Sequence, residues 1–399
     1  MATLNNNAVA AVLNEAIAES TGAEAVSTLD LEGIIDAGNS SDIIGSVEQF
    51  TKSLVNVLVK NWYTDTSYRS QYKDLFFQDS ATYGAITQMI SAEAPEVEES
   101  SAWKDFGSGI GQTSTVGTYT VHVPVVSTQY YGKSVSWQLP ITITDEQWET
   151  AFQSASELSS FVNYILLVVD NALICHMENM DAMNRNNFMA EKIAYAASNG
   201  ATGIHVINLV QLYQESLAIQ SNMSVEAYMN SADGLRHGAS TINLFKGYFS
   251  KMNTQFNTAG KKRFTPDDRL VIQIVDAFWN AYNRVAQADT FHNDLTALPN
   301  FQSVPFWQGS NTYAFDEVTK IDVETSSDGT AVEQSGIVAF MCDKWAIIHT
   351  IISKKVKAKV FEPENLTNYY YQFNDRYMNN LTLNALVFTL EDYTAPENP

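Results

Sequence analysis

The stretch from Thr144 to Tyr195, TDEQWETAFQSASELSSFVNYILLVVDNALICHMENMDAMNRNNFMAEKIAY, contains no Pro and no Gly. Nothing local interrupts a helix there. Thr144 with Gln147 three residues on is a capping-box pair, and Asp145 and Glu146 suit the positive end of a helix dipole. Gln153–Ser156 is expected to end a short first helix, with Ser156 capping a second. From there Val162, Leu166, Val169, Leu173, Met177 and Met180 recur at steps of three or four, the period of a buried helix face. A helix from Leu158 to Tyr195 would be roughly 55 Å long, about three times the usual length. Val162, Leu166, Val169 and Leu173 are its predicted core face, set against the final strands. The polar run Asn179–Asn187 is predicted to be exposed.

Two textures surround this helix. Before it, Ala85–Ala92 suits a strand, an acidic insert covers Glu93–Ser101, and glycines follow at 107, 109, 111 and 117. Thr118–Val126 alternates as an exposed ribbon does, and Ser134–Ile143 puts Val135, Trp137, Leu139, Ile141 and Ile143 on one face. Together these read as a long hairpin. A hairpin buries too little area to stand alone. It either projects onto another chain, the preferred reading, or folds back on its own domain. Tyr130, Tyr131 and Trp137 are the candidate contact residues.

After the helix the pattern is mixed. Ile204–Asn208, Asp268–Val275, Phe301–Trp307 and Gly336–Met341 suit strands, while Leu209–Ser221, Ser240–Gln255 and Asp276–Gln287 suit helices. That order implies a compact α/β domain. Trp345–Lys359 alternates again, and Asn368–Leu390 closes the chain with aromatic-rich strands before a polar tail. Asp42–Asn61 is an amphipathic helix by its spacing. Residues 2–45 carry too little apolar mass for a core and read as an arm.

The net charge of −22 excludes a reader of nucleic acid, which needs a basic face. Only Lys261–Arg263 and Lys354–Lys357 are basic tracts. Such a balance suits a protein that sits beside concentrated DNA without sticking to it, although acidic proteins are common. Cys175 and Cys342 lie in apolar contexts and read as reduced core residues. No secretory signal or membrane span is legible.

The inventory for catalysis is thin. There is no G-x-S-x-G. Gly107–Gly111 lacks the spacing and the Lys-Ser/Thr of a phosphate loop. His176 and Glu178 stand two apart on a helix and face different ways. The six histidines are scattered, and Asp267–Asp268 reads as a solvated turn. No catalytic, cofactor-binding or metal-ligating residue is assigned, and no cofactor is expected.

Three places carry a family resemblance: Ile143–Ile165, a short helix feeding the long one; Ile337–Ile351 (IVAFMCDKWAIIHTI), strand, charged turn and aromatic strand; and Leu366–Leu390, with its tyrosine run and closing Ala-Leu-Val-Phe. With the order of elements over roughly 42–390, the chain resembles the major capsid proteins of tailed bacteriophages, the Hong Kong 97-type fold. It is most similar in texture to the phi-29-like podophage proteins. The resemblance implies an α+β fold divided as follows: an N-terminal extension (1–41), an N-arm and start of the peripheral domain (42–82), an extended β-hairpin loop (83–143), a peripheral domain with the long spine helix (144–199), an axial α/β domain (200–343), and antiparallel peripheral strands with a tail (344–399). The extension lies outside the resemblance, and the acidic, Gly-rich insert departs from it. It implies a non-enzymatic subunit that assembles as hexamers and pentamers into an icosahedral shell in the virion. The expected partners are scaffolding protein, portal protein, decoration or head-fibre proteins, and packaged double-stranded DNA held without sequence-specific contact. No membrane partner is expected. Some relatives crosslink subunits through Lys and Asn. Lys104 or Lys133 could reach a neighbour, but no motif here assigns the partner residues, so no crosslink is expected. The alternatives are an encapsulin-like nanocompartment shell or, further off, an enzyme of unassigned class. A tail or receptor-binding protein fits less well, because a long helix dominates.

Overall fold

A computed structural model describes residues 77–80, 86–92, 126–144, 155–200, 204–218, 223–287, 301–308, 314–325 and 329–393. The N-terminal extension, most of the N-arm, the Thr118–Val125 part of the ribbon and Gln147 of the expected capping pair lie outside the described residues, while Thr144 is the last residue of a strand. The side chains of Val162 and Leu166 also lie outside the described residues.

In chain order the first strands are β1 (Phe77–Ser80), β2 (Thr87–Ala92), β3 (Val126–Tyr131) and β4 (Val135–Thr144), followed by helix α1 (Ala155–Ser198). Next come β5 (Val206–Asn208), α2 (Leu209–Ser216), α3 (Val225–Met229), α4 (Ala232–Phe249), β6 (Leu270–Val275) and α5 (Asp276–Ala281), which continues as a π-helical turn. Then follow β7 (Gln302–Val304), α6 (Phe315–Val318), β8 (Ile321–Glu324) and β9 (Ala331–Gln334). The chain closes with β10 (Ile337–Asp343), β11 (Ile347–Phe361), β12 (Leu366–Asn379) and β13 (Ala385–Thr389).

The chain forms two compact units, and it passes between them repeatedly. The first comprises residues up to Tyr83, Ser134–Asn186 and Ile347–Asn379; the second comprises Gly84–Lys133, Asn187–Ala346 and the rest from Asn380. The 44 residues of α1 divide between the two.

In the first unit a four-stranded sheet runs β1-β11-β12-β4. Alternation builds it. Thr367, Tyr369, Tyr371, Phe373 and Asp375 of β12 all point to the buried side, and the residues between them do not. Trp137, Leu139, Ile141 and Ile143 of β4 lie opposite Phe373, Tyr371, Tyr369 and Thr367, on the same side. Here the structure corrects the long-hairpin reading. Residues 135–144 pair with β12, so Trp137 stands on the sheet and not on a projecting loop.

Helix α1 is one helix from Ala155, so Ser156 lies inside it and does not cap it. Val169 and Leu173 of the predicted core face are buried. Cys175 is exposed, because it lies two residues beyond Leu173 on another side of the helix; Cys342 is buried. The expected exposure of Asn179–Asn187 holds for Asn179 and Met183 and fails for Asp181, Asn184, Arg185 and Asn186, which are buried. Arg185 Nε donates to Asn186 Oδ1 at 3.2 Å, and the backbone carbonyl of Asn184 accepts from Asn379 Nδ2 at 3.3 Å, while the Asn184 side-chain amide nitrogen has no hydrogen-bond partner among the described residues.

The second unit holds a five-stranded mixed sheet, β5-β13-β10-β6-β7. All seven residues of β10 are buried, as a central strand requires. Strand β13 pairs β10 antiparallel and β5 in parallel, so the end of the chain belongs to this sheet and not with the peripheral strands. Gly336 enters β10 at φ 73°, and a Cβ there would lie 3.3 Å from the backbone nitrogen of Glu391, so only glycine fits. Helix α2 is capped by Asn208, whose side chain accepts from the nitrogens of Val210 and Gln211. Helix α4 begins eight residues before the predicted Ser240, because the cap is Ser231, accepting from Gly234 N at 3.1 Å. The small β8–β9 ribbon and α3 are absent from the sequence reading.

Two buried polar arrangements tie this unit together. Asp343, 1% exposed, accepts from Arg269 Nη2 at 2.8 and 2.7 Å, from Thr265 Oγ1 at 3.2 Å and from Trp345 N at 3.0 Å. The Arg269 guanidinium lies 4.4 Å over the Trp345 ring. Lys192, fully buried on α1, donates to the Phe256 carbonyl at 2.9 Å and lies 3.4 Å from His205 Nδ1.

Candidate assembly interface

Strands β2 and β3 make a two-stranded antiparallel ribbon in the second unit, with Gln88 opposite Tyr130, Ile90 opposite Thr128 and Ala92 opposite Val126. Alternation gives it two chemically distinct faces. The inner face carries Thr87, Met89, Ser91, Ser127, Gln129 and Tyr131, all partly buried. Arg263 Nη2 donates to Ser91 Oγ at 2.9 Å, Ser91 and Ser127 share a hydrogen bond of 2.8 Å, and Asn380 Nδ2 reaches Met89 Sδ at 3.8 Å. The Tyr131 hydroxyl donates to Gln129 Oε1 at 2.9 Å; burial, then the negative charge of Glu191, push its pKa up to about 12.

The outer face carries the exposed side chains Ile90, Val126 and Tyr130, with Ile86 just before β2; Ile90 and Tyr130 are 66% and 67% exposed. Gln88 and Thr128 are exposed between them on the same face, and the ribbon has no third strand among the described residues. Of the three predicted contact residues, only Tyr130 stands on that face. Tyr131 is its neighbour on the inner face, and Trp137 belongs to the other unit.

Trp137 there has a clear role. Its ring stacks on Phe373 at 4.2 Å and meets His176 at 4.0 Å, while Nε1 donates to Asp375 Oδ2 at 2.8 Å. Behind it lies a buried titratable cluster. His349 Nδ1 is 3.5 Å from Asp181 Oδ1, its Nε2 is 3.8 Å from Asp375 Oδ2, and its ring stacks on Tyr377 at 4.4 Å. The sequence did not single out these residues, because they come from α1, β11 and β12. Burial raises the Asp181 pKa to about 6, offset in part by His349. The folded chain therefore holds a proton at Asp181 that the unfolded chain releases from about pH 4. This contribution is full below that pH and is lost as pH rises through 6. Asp181→Asn is accordingly expected to raise the unfolding free energy at pH 8 by roughly 3 kcal/mol and to change little at pH 4. Urea unfolding of the unassembled chain at the two pH values checks this.

Asp181, His349 and Asp375 of this cluster are closed from solvent. A pocket of about 650 Å³ in the second unit is lined by Glu226, Asp316, Glu391 and Arg284 among Val225, Met229 and Phe315, without His, Cys or Lys. Among the described residues no set of three or more His, Cys, Asp or Glu could hold a metal ion. No described helix is long and apolar enough to cross a membrane.

The fold has known counterparts. The capsid structure of Staphylococcus phage Andhra aligns with a TM-score of 0.52 at 10% identity, covering 82% of this chain and 86% of that one. The mature capsid of bacteriophage PhiM1 aligns with a TM-score of 0.44 at 6% identity, covering 83% and 90%. No curated protein matches the sequence. The model of the Phi29-like phage major capsid protein family matches residues 9–389, nearly the whole length, and the chain therefore belongs to that family.

Proposed function

We infer that the chain builds the head shell of a tailed phage, as its family does, and that the outer face of the β2–β3 ribbon is one of its contacts with neighbouring subunits. The observation that carries the second statement is the exposed row of Ile86, Ile90, Val126 and Tyr130 on a ribbon whose other face is already engaged. In Hong Kong 97-type terms, the ribbon corresponds to the extended loop and α1 to the spine. The first unit corresponds to the peripheral domain. The axial domain is the second unit, which takes in β13 as well as the predicted 200–343. Scaffolding, portal and head-fibre proteins and packaged double-stranded DNA are its partners in this reading. A net charge of −22 keeps DNA phosphates from binding the wall tightly. The family match does not favour a cellular nanocompartment, and a structural family does not favour an enzyme.

The test is electron microscopy of the chain expressed with its scaffolding protein, where closed shells with capsomer texture are expected. A chain that stayed monomeric under every assembly condition would sink the reading. The Ile90→Asp/Tyr130→Asp pair is expected to lower shell yield at least tenfold while leaving the circular dichroism spectrum of the monomer unchanged, since exposed side chains carry little folding energy and buried aromatic anchors carry much of an interface.

A further inference from the structure

The four-stranded sheet of the first unit presents a face whose chemistry is opposite to that of the chain as a whole. Along β11 the side chains alternate. Lys354 turns inward over the Phe373 ring at 5.7 Å, while Lys355, Lys357 and Lys359 are exposed on the other side. Register places Gln372 and then Gln138 beside Lys355, Tyr370 and Pro140 beside Lys357, and Asn368 and Thr142 beside Lys359. No carboxylate stands on this face of the three strands. The nearest in sequence, Glu362 and Glu364, come after β11 has ended. Strand β1 covers the β11 edge only at Ile348–Ile351, so among the described residues the edge beside the lysines is unpaired.

Three ammonium groups at every second residue of a strand stand roughly 7 Å apart, along about 13 Å. Like charges so placed repel, and nothing among the described residues offsets them. In a chain with 45 acidic and 23 basic residues, such a row is a local reversal of field that only an anion relieves.

The chain carries a matching anion. Immediately after Ala92 of β2 the sequence reads Glu93-Ala-Pro-Glu96-Val-Glu98-Glu99, four carboxylates in seven residues without a cation. Glu99 stands seven residues past the end of β2, so the acidic run fully extended reaches at most about 24 Å from the ribbon. The segment is continuous with the ribbon whose outer face is read above as a subunit contact.

We propose that the lysine row of one copy receives the acidic segment 93–99 of a neighbouring copy. This is a salt-dependent latch that seats one subunit on the next. The inference rests on the shell reading and adds to it a site and the chemistry of its occupant.

Charge reversal tests it. Shells are assembled from the parent, from Lys355→Glu/Lys357→Glu/Lys359→Glu, from Glu93→Lys/Glu96→Lys/Glu98→Lys, and from an equimolar mixture of the two variants at low salt. Each variant alone is expected to lose about tenfold in shell yield, because every contact it can make sets like charges together. The mixture is expected to recover, since the reversed segment of one variant meets the reversed row of the other. Variants that assemble as well as the parent overturn the proposal. So does a mixture that recovers no better than either variant alone. Carbodiimide treatment of parent shells keeps the question open to refutation should a variant fail to fold: a peptide joining residues 93–99 to 355–359 is expected, and its absence overturns the latch. A parent that forms no shells overturns the shell reading itself.

Discussion

Replacing Asp343 with Ala is expected to lower the unfolding free energy of the unassembled chain by about 2–3 kcal/mol, the loss of charge-assisted hydrogen bonds to a buried carboxylate whose partner Arg269 stays partly exposed. The carboxylate is 1% exposed and accepts from Arg269, Thr265 and Trp345, with both Arg269 Nη2 bonds under 3 Å. It sits where β10 ends and the chain turns through Trp345 toward β11, so it holds the backbone nitrogen of the turn as well as a side chain. Asp343→Asn separates the two contributions. It keeps an acceptor for Trp345 N but gives up the charge, and is expected to lose about half as much. Equal losses for Ala and Asn, read by urea unfolding, would show that the charge on Asp343 and not its geometry carries the energy.

The second large effect has the opposite sign. Lys192→Met is expected to stabilise the chain at pH 7 by about 4 kcal/mol. Lys192 is fully buried with no carboxylate beside it among the described residues; burial drives its pKa down to about 7, with Cys342 acting slightly the other way. The folded state thus gives up a proton that the unfolded chain keeps until about 10.5, so the stability of the parent rises with pH across that interval. Between pH 7 and 9 the rise is expected to be roughly 2–3 kcal/mol, and Lys192→Met should flatten it. Above pH 9 the buried Cys342 thiol, whose pKa burial pushes up, acts against further gain. Methionine matches the lysine stem, and little is lost with the ammonium, because the Phe256 carbonyl also accepts from Ala385 N at 3.0 Å. His205 stays neutral across this range, its pKa lowered to about 4 by burial and by Lys192. A parent with no pH dependence between 7 and 9 would show that water reaches Lys192.

Local signals made α1, β10 and β12 legible. An unbroken apolar period marks a helix, a continuous apolar run marks a central strand, and a run rich in aromatic residues without Gly or Pro marks a half-buried one. The partners of these elements were not legible. Residues 135–144 were joined to the ribbon before them because they follow it in sequence, yet they pair with residues more than two hundred positions later, Gln138 with Gln372. Separation in sequence also hid the burial of Asp181: a polar residue reads as exposed until its partner is found, and His349, 3.5 Å away, comes from β11. At the candidate interface, alternation required that Tyr130 and Tyr131 face apart. Which of the two would face outward depended on Arg263 and Asn380 engaging the other side of the ribbon.

Strand β13 sits between β5 and β10, although in chain order it follows every other described strand. During translation the second unit cannot close its sheet until residues 385–389 have left the ribosome. Until then β5 has no neighbour in the sheet, and β10 lacks one of its two. A chain cut before Ala385 is therefore expected to leave β5 unpaired and one edge of β10 open, and to lose the cooperative unfolding transition of the second unit.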